Sequence, residues 1–290
     1  MTEARIHDRG YLAYDGPRHG PGRAMVVLGY HTVQRVLGLK RSNWQKVLPA
    51  ITLLISFVPA IVFIGLAALL PDSSDLDLGE PTEYYWLIVW MVFLFTSFVT
   101  PEAICTDRRS GLLGLYLASP LGRDTYLAAK FAAIVVVLGI MTIGPTLLML
   151  IAFTLEGSGP DGVVNWFIEL GRVLASGLAM AAFWGALSLA VSSFTTRRAL
   201  ASVAIFVSLL VSAAVGDGLS EGAEVGDSFA LLNMIALPLE TVYRIYGEAN
   251  TDGPPIGEVG TLPILFTFIG LIVVFGTFAR WRYQRIEITG

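Results

Sequence analysis

Charge is scarce in this sequence: Asp, Glu, Lys and Arg fill 14% of its 290 positions, while 54% are hydrophobic. A soluble domain carries charge at roughly a quarter of its positions, because polar groups must clothe its surface. The deficit excludes an ordinary globular domain and fits a chain whose surface faces lipid. Cysteine is reduced to Cys105, which excludes an internal disulfide and gives no sign of an oxidising compartment. The three histidines, His7, His19 and His31, sit near the N-terminus at spacings that match no zinc motif. There is no Gly-x-x-x-x-Gly-Lys-Ser/Thr phosphate loop, no His-Glu-x-x-His pair and no Gly-x-Ser-x-Gly elbow. No catalytic residue, metal site or cofactor is therefore expected in this chain. Residues 1–46 hold no early apolar core before a cleavage site, so no cleaved signal peptide is expected.

Long apolar runs are what the sequence does have. A spanning helix needs about 20 mainly apolar residues to cross a hydrocarbon layer about 30 Å thick. Residues 47–70, 84–100, 131–155, 173–194, 199–216 and 263–279 qualify, which predicts six crossings. As drawn, their apolar interiors contain no Asp, Glu, Lys, Arg or His. Such a group is the default mark of a proton relay or ion pathway, so its absence argues against an ion-coupled carrier. Pro59 and Pro145 are expected to kink their helices. Gly177, Ala181 and Gly185 recur at steps of four as a close-packing stripe.

Basic loops are retained in the cytoplasm, and here the signs of charge are segregated. All of the 19 Lys and Arg residues except Arg172 and Arg244 fall before the first span, between the second and third, between the fourth and fifth, or after the sixth. The alternate loops are acidic, with Asp72, Asp75, Asp77, Glu80 and Glu83 in the first of them. The expected protein is a multi-pass protein of the cell membrane with both termini cytoplasmic. Trp86, Trp166 and Trp281 at predicted span ends agree with an interfacial aromatic belt.

Outside the spans, residues 1–23 read as a turn-rich cytoplasmic arm and 24–46 as an amphipathic helix lying in the interface. Val26, Tyr30, Val33 and Leu37 would share one face of that helix, with His31, Gln34 and Arg35 on another. Residues 229–242, inside the long outer loop, are too short to cross and read as a re-entrant or interfacial hairpin. The six-span domain then covers 47–282 and a cytoplasmic tail 283–290. The fold class is all-α integral membrane.

The segment between spans two and three is the most informative. Glu102 and Asp107 flank a turn of helix at the membrane exit, and Arg108 and Arg109 are placed to pair with them or with lipid phosphates. Gly111 should break that helix. A short apolar run follows, including Leu112, Leu115, Tyr116 and Leu117, ended by Ser119-Pro120, with Arg123 beyond. An apolar helix at an aqueous surface is a liability unless a partner covers it, so the segment reads as a docking element.

These residues resemble the permease subunit of ABC-2 type exporters. The likeness runs through Glu102, Asp107-Arg108, Gly111, Leu112 to Leu117, Ala118-Ser119-Pro120, Arg123 and Lys130. It departs at Asp107, where the family often has Glu, and at Gly114, where it commonly has an acid. The resemblance implies that residues 102–123 couple the chain to cytoplasmic ABC ATPase subunits holding ATP and Mg. It implies dimerisation with a second permease, identical or paralogous, through spans one and five, and export of an amphipathic or lipidic compound such as a drug or lipid. Membrane lipids are expected partners and nucleic acid is not. A membrane anchor or assembly factor for a cytoplasmic partner, or an ion-coupled secondary carrier, stands as the alternative.

Overall fold

The computed structural model describes residues 16, 20–39, 43–69, 81–222, 226–250 and 255–286. Among them there is no strand, and six helical rods are long and apolar enough to cross a membrane. The first is α2 (Asn43–Leu69). The second is α3 (Pro81–Phe98) continued by α4 (Glu102–Arg109), and the short α5 (Leu112–Leu117) follows it. The third is α6 (Arg123–Thr142) continued by α7 (Gly144–Glu156). The rest are α8 (Gly162–Ser192), α9 (Arg198–Asp217) and α11 (Thr261–Gln284). Ahead of them all lies α1 (Pro21–Val36), and α10 (Ala236–Tyr246) falls between the last two. The expected arm 1–23 lies mostly outside the described residues, as do most of the acidic first loop and the end of the tail.

The third crossing is broken at Ile143, where Pro145 lacks the N–H that would bond Met141. In lipid such a carbonyl needs another partner, and Tyr84 Oη lies 2.9 Å from Met141 O. Tyr85 Oη donates to Thr142 O at 3.0 Å, and Thr142 Oγ1 donates to Gly177 O at 2.9 Å. The proline kink is therefore held from α3 and α8 rather than left open.

The small-residue stripe of α8 is what lets it approach this break. A Cβ on Gly177 would stand 2.4 Å from Ile143 Cγ1 and 3.2 Å from backbone atoms of Thr142 and Ile143. One on Gly185 would meet Ile134 at 3.3 Å, and Ala181 is fully buried. Gly177→Leu is expected to destabilise the protein by roughly 1–3 kcal/mol or more through overpacking against backbone. Gly270→Leu on α11, where a Cβ meets nothing within 4 Å, is the control. Thermal unfolding of both variants in detergent checks this, and equal midpoints would contradict it.

At one end of the bundle the chain after α9 turns back on itself through a 3-10 turn (Asp227–Leu232) and α10. Asn233 fixes the return. Its Nδ2 donates to both Asp217 carboxylate oxygens at 2.9 and 3.1 Å, while its Oδ1 accepts from the amides of Ile235 and Ala236, capping α10. Leu237, Glu240 and Val242 are buried where α10 packs on α3, α8 and α11. The short apolar stretch is thus a hairpin folded into the bundle. Arg244 pairs with Glu240 at 2.9 Å and donates to the carbonyls of Gly257 and Val259. Burial raises the Glu240 carboxyl pKa, against the pull of Arg244.

The helix α1 carries apolar side chains both toward the bundle and away from it. Leu28, Thr32 and Val36 are buried against α4 and α6, whereas Val26 and Tyr30 are among the most exposed residues. The helix ends at Val36, and Gly38 at φ +70° turns the chain before α2 begins. Residues 24–46 are therefore two elements, with 40–42 outside the described residues.

Candidate functional site

The ends of α1, α4, α6, α8 and α11 and the start of α9 meet at one end of the bundle, and nearly every described basic residue gathers there. The second and third rods extend beyond their apolar windows, to Arg109 and from Arg123. This carries Asp107 and Lys130 inside the rods, beyond the apolar interiors 84–100 and 131–155, which themselves hold no Asp, Glu, Lys, Arg or His. Asp107 is fully buried. Its Oδ2 lies 2.6 Å from Lys130 Nζ and accepts from Tyr126 Oη at 2.9 Å, and its Oδ1 accepts from Arg35 Nη1. Lys130, also fully buried, donates to Thr32 Oγ1 at 2.9 Å, and Thr32 in turn donates to Leu28 O. One carboxylate therefore ties α4 to α1 and α6. For Arg35, outside the spanning rods, burial opposes the charge but the Asp107 carboxylate more than restores it, leaving its pKa raised.

Asp107 does not pair with Arg108 or Arg109, one of the two roles their spacing offered them beside lipid phosphates. Arginines here close the open carbonyl ends of neighbouring helices, groups that a helix cannot satisfy itself. Arg108 donates to Ser193 O and Thr195 O past the end of α8. Arg123 donates to Gln284 O and Ile286 O at the end of α11. Arg198 donates to Phe98 O at 2.9 Å, where α3 stops ahead of Pro101. It also pairs with Glu102 at 2.6 Å, and Thr106 Oγ1 donates to the other oxygen of that carboxylate. Cys105 is buried against the carbonyls of Ser192 and Thr195.

Gly111, at φ +69°, is the left-handed hinge between α4 and α5, a conformation glycine adopts without strain. Beyond it α5 has two faces. Leu113 is buried, and Tyr116 and Leu117 pack partly on the core. The Tyr116 ring lies 6.0 Å from that of Tyr126, which lies 5.8 Å from Tyr283 on α11. Leu115 points away, 68% exposed, beside exposed Ala118, Ser119 and Pro120.

The structure thus gathers all the singled-out residues into one elbow but divides their work. Glu102, Asp107, Arg108 and Arg123 bind the elbow to the bundle. Gly111 bends it. Leu112 is half-buried, and Leu115, Ser119, Pro120 and Arg109 face outward. Arg35, Thr32, Tyr126, Arg198 and Tyr283 complete the arrangement and were not singled out. Lys130 gave a signal, since a lysine lodged in the run Ala128-Ala129-Lys130-Phe131-Ala132 needs a buried partner. Among the described residues no group of His, Cys, Asp and Glu is placed to hold a metal ion.

Residues 82–280 match a family model described as ABC-2 family transporter protein. No curated protein matches the sequence.

Proposed function

This chain belongs to the ABC-2 transporter family, and from that premise we propose that its elbow is where a cytoplasmic ABC ATPase drives it as an exporter. The chain is a membrane permease component of an ABC transporter, and its family implies ABC ATPase partners. The observation that carries the rest is the elbow itself: an outward Leu115 tip on a helix joined through Gly111 to the second crossing, which Asp107 pins to the third, and packed through the Tyr116–Tyr126–Tyr283 row on the third and sixth crossings. A push on α5 is therefore delivered to three rods at once. ATP and Mg would sit on the ATPase, whose closure on binding nucleotide supplies the push.

The basic end faces the cytoplasm, since Lys and Arg are retained there, which puts both termini and the elbow inside. A second permease, identical or paralogous, packs along α2 and α9. The outward faces of these helices, with Leu54, Val58 and Ile61 on one and Val203, Val207 and Val211 on the other, are exposed in the single chain. The cargo is an amphipathic or lipidic compound, drug or lipid, because the rods between the two ends offer an apolar route.

Mild-detergent purification of the tagged chain from cells that also express its ABC ATPase tests the reading. Recovery of a phosphate-loop ATPase near one per permease, with ATP-dependent movement of cargo after reconstitution, is expected. Recovery with a partner but no ATP-dependent transport would instead make the chain an anchor, and transport by the isolated chain on an ion gradient would make it a carrier.

A further inference from the structure

We propose that the groove between α6, α8 and α11 is a binding site for one phospholipid whose zwitterionic headgroup carries a primary ammonium. The groove encloses about 350 Å³ and is walled by Leu127, Phe131, Leu189 and Ile272, a volume in the range of small-ligand sites. Gly276 lines it without a side chain, and a Cβ there would project into open space. Such a slot takes an acyl chain. None of its lining residues belongs to α2 or α9, so it stays open to lipid whether or not a second permease packs along those helices.

Charge at the mouth selects the headgroup. Asp124, at the start of α6, and Arg280, near the end of α11, line the same end of the groove and pair through two bonds of 3.0 and 2.9 Å. Their side chains are 56% and 60% exposed, and an ion pair so open to solvent contributes little net stability. Exchanging it for two equivalent pairs with a zwitterion is therefore close to neutral. Arg280 presents the planar fork that suits a phosphate, and Asp124 presents a carboxylate that suits an ammonium. An ethanolamine headgroup offers N–H donors to Asp124, whereas choline has none and glycerol has no cation at all. The neighbouring Arg123 is committed to the carbonyls of Gln284 and Ile286. Trp281, 44% exposed with the Arg285 guanidinium 4.4 Å from its ring centre, marks this level as the interface where headgroups lie.

The test is native mass spectrometry of the full chain, purified with an equimolar mixture of phosphatidylethanolamine, phosphatidylcholine and phosphatidylglycerol. One phosphatidylethanolamine per chain is expected to survive, retained several-fold over either competitor. Gly276→Phe fills the slot and should lower that retention several-fold, and Ala128→Phe, on the exposed lining of α6, is the second plug should the first fail to fold. Gly270→Phe, on the same helix but outside the groove, should leave retention unchanged. Asp124→Asn should abolish the preference over phosphatidylcholine, and Arg280→Gln should lower retention of all three lipids. Equal retention of the three by the unmodified chain, preference for phosphatidylglycerol, or unchanged retention in a folded plugged variant would overturn the assignment. None of these readouts depends on an ATPase or on transport.

Discussion

Asp107→Asn is expected to cost about 3–5 kcal/mol of stability, the range for breaking a buried ion pair by removing one partner. The substitution keeps the shape of the side chain but strands two cations, one of which, Lys130, is fully buried. Removing the stranded charge as well should recover part of the loss. Asp107→Asn combined with Lys130→Met is therefore expected to be more stable than Asp107→Asn alone, and a double-mutant cycle on thermal unfolding in detergent measures the coupling. Arg35→Gln should cost less, because the Arg35 side chain retains 18% exposure and water can take over some of its role. An Asp107→Asn protein that melts with the unmodified chain would mean that the triad does not hold the elbow.

Leu115→Asp should do the reverse, sparing the fold while stripping away the partner. Leu115 lies on the open side of α5 with 68% of its surface exposed, and surface substitutions away from packed features usually stay within about 0.5 kcal/mol. A charge at the centre of a docking surface commonly costs 2 kcal/mol or more of binding, roughly thirtyfold in affinity. Recovery of the ATPase should fall accordingly while the melting midpoint is unchanged. Leu117→Asp, two residues on, is not an equivalent probe. Leu117 packs on the core, so its replacement should lower the midpoint, and that contrast separates docking from folding. Unchanged ATPase recovery in Leu115→Asp would move the docking surface elsewhere.

The two variants also mark where sequence reading succeeds in this protein. Six crossings were legible because an apolar run of about 20 residues has few alternatives in a protein so poor in charge. The break in the third rod was legible because Pro145 leaves one carbonyl without a donor. The elbow was legible as a unit, since Gly111 and Ser119-Pro120 bracket a short apolar run between charged ends.

What escaped were partnerships across the chain. The arginines beside Asp107 were within pairing reach by spacing, but its partners are Lys130 on the next rod and Arg35, 72 residues earlier. Local spacing carries no information about either contact. The inner face of α1 escaped for a different reason. In a membrane, lipid and protein are both apolar surroundings, so periodicity separates polar from apolar faces without telling which apolar face meets protein. Val26 and Tyr30 were as good candidates by pattern as Leu28 and Val36, and the structure exposes the first pair and buries the second.

Contact between the tip of α5 and the ATPase is most directly tested by crosslinking from that tip. The chain has one cysteine, so Cys105→Ala gives a background in which Leu115→Cys is the sole thiol. A short thiol-to-amine crosslinker applied to membranes holding both subunits should join Leu115→Cys to the ATPase. Leu232→Cys, exposed at the opposite end of the bundle, should give no such product. An ATPase adduct from position 232, or none from 115 while the two proteins still co-purify, would contradict the account.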